Sequence, residues 1–180
     1  MKKRMKYAGF AGFETDNPKT NELVFAVGKL IMNFGAVESL TYYLISRLSE
    51  DSADHDKALD QLFVKRFKLI KRLAQQQDMP DQIQSDIETI TDSVKVLAEF
   101  RNKIAHNPIV QRRNDDNIEH DPSSFFIIDM KSQKGREKSI VDTVTLERLN
   151  KGIDAVIELA TNLRSILESV VAEMEKREQS

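Results

Sequence analysis

Apolar residues recur along this chain at alternating steps of three and four, the spacing that lays one stripe along an α-helix. Leu23, Val27, Leu30, Phe34, Val37, Thr41, Leu44 and Leu48 form the first stripe. They predict a helix over 18–48, with Asn17 as its cap and Pro18 in its first turn. "SEDSADHD" then breaks the period. A second helix is expected over 56–77, with Leu59, Leu62, Phe63, Leu69, Ile70 and Leu73 as its apolar face. After "QDMPD", Ile83, Ile87, Ile90, Val94 and Leu97 predict a third helix over 81–106. Pro108 disfavours helical backbone at Asn107 and should end it. Leu146, Leu149, Ile153, Val156, Ala160, Leu163, Leu167, Val170 and Met174 predict a fourth helix over 145–176, capped by Thr145. Gly152 inside it costs about 1 kcal/mol relative to Ala, and the sequence alone gives no reason for it.

Residues 111–124 are polar and read as a loop. "FFIIDM" and "REKSIV" have strand composition and flank the turn-like "KSQKG", so a short hairpin is expected. The fold class is therefore all-α: an antiparallel four-helix bundle with a small β-hairpin insertion between the third and fourth long helices. We take 1–180 as a single helical domain, with 1–17 as an N-terminal arm and 109–143 as the loop and hairpin insertion.

Composition narrows the function classes. Hydrophobic residues make up 40% and charged residues 31%, as in a globular protein. With no Cys, disulfide scaffolds, thiolate metal sites and cysteine nucleophiles are excluded, and a reducing, cytoplasmic setting fits. The basic start "MKKRMKYAGFAGFETD" has no long apolar run, so no signal peptide is expected. No stretch is read as approaching the ~20 apolar residues of a membrane span, so no membrane partner is expected. The net charge of −2 means that nucleic-acid binding would need a local basic patch.

One position breaks the apolar logic. The next steps of the third seam after Leu97 are Arg101 and Ile104, which aims an arginine inward or toward a second chain. A guanidinium there needs a partner or a purpose, because burying it alone is costly. Asn102 and His106, four apart, share a face, and Arg101 lies about 100° round from Asn102. The helix dipole favours a charged His106 in the last turn. Arg can grip phosphate oxygens at two points and His can move protons near neutral pH, so the cluster suits a phosphodiester.

The segment "RNKIAH" resembles the Arg-X4-6-His motif of the HEPN superfamily, and "NFGAVESLTYYLISRL" is similar to the opening helix of many bacterial members. The resemblance implies a helical bundle that pairs as a homodimer, with two motifs facing one composite cleft, and metal-independent endoribonuclease activity. It makes Arg101, Asn102 and His106 the candidate catalytic residues, with no metal and no cofactor. It also implies bacterial defence, stress or toxin–antitoxin roles, with an antitoxin or other protein as a further partner. One branch carries Tyr two residues after the His and pairs with a nucleotidyltransferase antitoxin; Pro108 stands there in this chain, so that partner is not carried over.

RNA contacts are expected first from Arg112 and Arg113 beside the motif; Lys65, Lys68 and Arg72 on the second helix, with Arg66 and Lys71 nearby, suit an RNA backbone but read more readily as a solvated helix face. Phe125 and Phe126 could stack on bases or be buried in the hairpin. His55 and His120 sit among acids without a His-X3-His spacing and read as exposed loops, not as metal ligands. A competing reading needs no RNA. Val24, Ile31, Glu38 and Ile45 fall seven apart, so Glu38 can pair with Arg101 to fix packing, while His106 and Asn107 cap the helix. The chain would then be a non-catalytic dimeric helical module that binds a protein partner.

Overall fold

The computed structural model describes residues 18–107, 109–111, 125–133 and 136–179. The chain is mostly helical. Its elements are α1 (Pro18–Leu48), α2 (Ser52–Asp60), α3 (Phe63–Gln76), α4 (Asp81–His106), β1 (Ile109–Gln111), β2 (Phe125–Gln133), β3 (Arg136–Val144) and α5 (Leu146–Glu178). Thr145 caps α5 by accepting a hydrogen bond from the Arg148 amide at 3.1 Å.

The helix expected over 56–77 is two helices. Asp51 accepts from the Ala53 amide at 2.8 Å and starts α2 at Ser52, inside the run that reads as a polar break. Extended backbone at Gln61 and Leu62 then ends α2 and resets the helical register. As a result Leu59 and Leu62 are 66% and 73% exposed, outside the core that Phe63, Phe67, Ile70 and Leu73 join. His55 consequently lies in a helix rather than a loop, and its Nε2 is 2.9 Å from the Ser49 carbonyl oxygen.

The extra helix changes the course of the chain. Gln77, just past α3, donates to the Leu48 carbonyl at the end of α1. Arg177, in the last turn of α5, donates to the carbonyls of Gln77 and Asp78. The C-terminal ends of α1, α3 and α5 therefore meet, and α4 starts there. Strict antiparallel alternation fails because α2 already carries the chain back between α1 and α3. α2 is held by Asp54, which accepts from Ser49 at 3.0 Å and from Arg72 of α3 at 2.8 Å. Those donors keep the Asp54 carboxyl below its usual pKa, the Ser49 hydroxyl first among them.

The core lies between these helices and contains Leu23, Leu30, Phe34, Leu44, Ile87, Val94, Val156 and Leu163. Phe34 and Phe63 meet edge-on at 4.8 Å, joining α1 to the start of α3. α1 packs chiefly along α5. By length and composition α1 is also apolar enough to cross a membrane, with a mean hydropathy of 1.5 over an 18-residue window, contrary to the sequence reading. Its inner stripe is packed against the other helices.

Three strands pair antiparallel in the order β1-β2-β3, with Ile109 opposite Ile127 and Phe125 opposite Val144. β1 has no counterpart in the sequence reading, which expects only a two-stranded hairpin, and its last residue, Gln111, opens the run read as loop. Phe125, Ile127 and Val144 are each 1% exposed and root the sheet beside α4. Asp142 of β3 accepts from Lys103 of α4 and from Arg148 of α5, so one carboxylate ties the sheet to both helices. Gly152 is buried under the Phe100 ring, where α4 and α5 cross closely. Phe100 also has the Arg148 guanidinium 5.6 Å from its ring centre.

Candidate functional site

Arg101 stands five residues before the end of α4, on the seam that faces α1. Its inward course follows from the period that also buries Val94 and Ile104. One terminal nitrogen donates to Glu38 Oε1 of α1 at 3.2 Å, and the other to Asn102 Oδ1 at 2.8 Å. The guanidinium carbon lies 5.1 Å from the Phe34 ring centre, within cation–π range. The Arg101 and Glu38 side chains keep 23% and 29% exposure, so the pair sits at the edge of the core rather than inside it. Arg101 Nε is buried without a hydrogen-bond partner among the described residues.

A guanidinium has five N–H donors, and Glu38 and Asn102 each take one. Arg101 is thus held in one orientation while some of its hydrogen-bonding capacity stays unused. Asn102 and His106 are exposed, and Asn107 ends the helix by donating its side-chain amide to the Lys103 carbonyl at 2.9 Å. At 100° per residue, Arg101 and His106 point about 140° apart around α4. Among the described residues His106 shares no hydrogen bond with Arg101 or Asn102. One helix therefore presents a fixed cation on one side and an accessible imidazole on another.

The basic residues of α3 divide. Lys65 and Lys68 are exposed. Arg72 is tied to Asp54, and Lys71 to Glu88 of α4. Arg66, grouped with them in sequence, is only 8% exposed; it stacks 4.2 Å over the Tyr42 ring and donates to the Ala58 carbonyl. It braces α2 against α1 and α3 rather than facing solvent. Lys65 lies two residues from Phe63, which packs on Phe34, so it shares an end of α3 with the Arg101 contact. Phe125 is buried and cannot stack on a base. Arg112, Arg113 and His120 lie outside the described residues, as does the side chain of Phe126.

Phe34 escapes sequence reasoning as a site residue. It reads as one more core position, yet its ring carries Arg101. Its signal is its place four residues before Glu38. Among the described residues no group of three or more His, Asp and Glu could hold a metal ion. No family model, curated protein or solved structure matches this chain.

Proposed function

We propose that this protein is a HEPN-like helical bundle that acts on RNA as a homodimer, binding the strand and cutting it through the 2′-hydroxyl. The observation that carries the reading is the Arg101 guanidinium, oriented by Glu38 and Asn102 and still part-exposed, on the helix end that also displays His106. In the proposed reaction the RNA 2′-oxygen bonds to phosphorus as the bond from phosphorus to the 5′-oxygen breaks. His106 takes the 2′-hydroxyl proton, and His106 of the partner subunit gives one to the leaving oxygen. Arg101 stabilises the charge that develops on the phosphate, and Asn102 holds Arg101. The 140° between Arg101 and His106 on one helix favours a site assembled from two copies. Lys65 and Lys68 add backbone contacts. The reading needs no metal or cofactor and places the protein in the bacterial cytoplasm, in defence, stress or toxin–antitoxin work.

The test is incubation of single-stranded RNA with the purified protein in EDTA. The expected products end in a 2′,3′-cyclic phosphate and a 5′-hydroxyl, and DNA of the same sequence stays intact because it lacks the attacking hydroxyl. Arg101→Ala and His106→Ala should each lose cleavage while retaining helical circular dichroism. Undiminished cleavage by His106→Ala refutes the assignment.

The Glu38–Arg101 bond over Phe34 favours a second reading. In it the arginine fixes helix packing, and the chain is a non-catalytic module for a protein partner. RNA that is neither bound nor cut by the wild type selects this reading.

A further inference from the structure

The outward side of α1 is unusually poor in charge. Phe25, Met32 and Tyr43 are 74%, 79% and 61% exposed, and all three point away from the core. Gly28 and Gly35 lie between them on the same face, and a Cβ at either would meet nothing within 4 Å. Between exposed Glu22 at one end and exposed Arg47 at the other, Lys29 is the one charge on the strip, and Ser39 and Ser46 are its exposed hydroxyls. From Glu22 to Arg47 it is about 38 Å long.

We propose that this strip is where two copies of the chain pair, with their α1 helices crossing antiparallel about a two-fold axis beside Gly35. The proposal is a contact separate from the composite cleft of the preceding section and needs none of its RNA chemistry. Three features of the strip select a second copy of itself. Antiparallel pairing sets Glu22 against the partner subunit's Arg47 at both ends, so the terminal charges are complementary by symmetry. The same register brings the long Met32 side chain to the small residues Gly35 and Ala36 of the opposing helix, a knob facing a hollow. Large exposed side chains bring about 150–250 Å² each. Phe25, Met32 and Tyr43 at their observed exposures therefore supply roughly 400 Å² per copy, or about 800 Å² per pair, before Val24 and the glycine backbone are counted. That is about two-thirds of the ~1,200 Å² lower bound for a specific interface, and Ala36, Ser39 and the glycine backbone of both copies must supply the rest.

A lipid bilayer fits this surface less well, because the opposite side of α1 is already packed on α5 and α3. The axis also lies at the level of the candidate site. Phe34 and Glu38 flank Gly35 within one turn, and both touch Arg101. Phe34 and Glu38 project from the opposite side of α1, so this pairing leaves both Arg101–Glu38 pairs on the outer flanks of the paired helices and open to solvent.

Sedimentation equilibrium of the full chain tests the proposal. The wild type should be dimeric at micromolar concentration. Met32→Lys should raise the dissociation constant at least about 100-fold with helicity unchanged, since Met32 touches little of its own subunit. Val96→Lys, on the exposed side of α4, should leave it unaltered. Glu22→Arg should weaken pairing, and adding Arg47→Glu should restore it. The native chain has no Cys, so Gly35→Cys supplies a single thiol near the axis and should form a covalent dimer on oxidation. A monomer at all concentrations, a dimer indifferent to Met32→Lys, or flotation of the wild type with anionic phospholipid vesicles overturns the proposal. An intact dimer without nuclease activity leaves it standing and refutes only the RNA cleavage.

Discussion

Replacing Gly152 by Ala tests the close crossing of α4 and α5 where it is tightest. In an open helix the change would stabilise by about 1 kcal/mol. Here a Cβ at 152 would stand 3.0 Å from Phe100 Cδ1 and closer still to Cε1, against a ring braced by Arg148. Forcing a methyl into filled space costs roughly 1–3 kcal/mol, so the net expectation is a loss of about 1 kcal/mol. The contribution of the ring is isolated by a double-mutant cycle. In a Phe100→Ala background the obstruction is gone, and Gly152→Ala should become stabilising by about 1 kcal/mol. Urea denaturation followed by far-ultraviolet circular dichroism reads all four proteins. A Gly152→Ala protein more stable than wild type, or an equal loss in both backgrounds, would refute the reasoning.

Acid should act through Asp54. Its folded pKa is lowered, so the stability it contributes is present above the unfolded carboxylate value of about 4 and is lost as pH falls through the folded value below that. Asp54→Asn should therefore be less stable at pH 7 and show a shallower acid limb in denaturation midpoints from pH 5 to 2 (about the range over which the carboxylate titrates); an unchanged limb would contradict this. Asp78 carries a φ of 46°, in the left-handed region, as α3 turns into α4. Asp78→Gly should raise stability by up to about 1 kcal/mol by removing the side-chain penalty there, and a clear loss in thermal unfolding would argue against it.

The long helices were legible because their apolar stripes are unbroken, and the seam through Val94 and Leu97 also located Arg101 on the α1 side of α4. Glu38 could be singled out from its seven-residue spacing beside the first stripe. Elsewhere local signals were overruled by distant ones. Leu59 and Leu62 look like core in a continuous helix, but the break at Gln61 swings them outward. "SEDSADHD" looks like a loop because its polarity hides a cap, and Arg66 looks like a surface cation until Tyr42 covers it. β1 is only three residues long and owes its form to β2, which lies well downstream. Gly152 is intelligible only through Phe100, on another helix. The cap at Asp51 and the break at Gln61 are local but carry no apolar signal, whereas the misses at Arg66, β1 and Gly152 are pairings that lie outside any local window.

The packing of α1 along α5 has a consequence for synthesis. α1 leaves the ribosome before α5, the helix it packs along most. With Leu48 and Leu146 bounding the interval, about 100 residues must be translated in between, on the order of 5 to 20 seconds at common elongation rates. Throughout that wait Leu23, Leu30, Phe34 and Leu44 lack their final cover. A nascent chain of this design should lean on chaperones, and stalled or truncated products should be prone to clump.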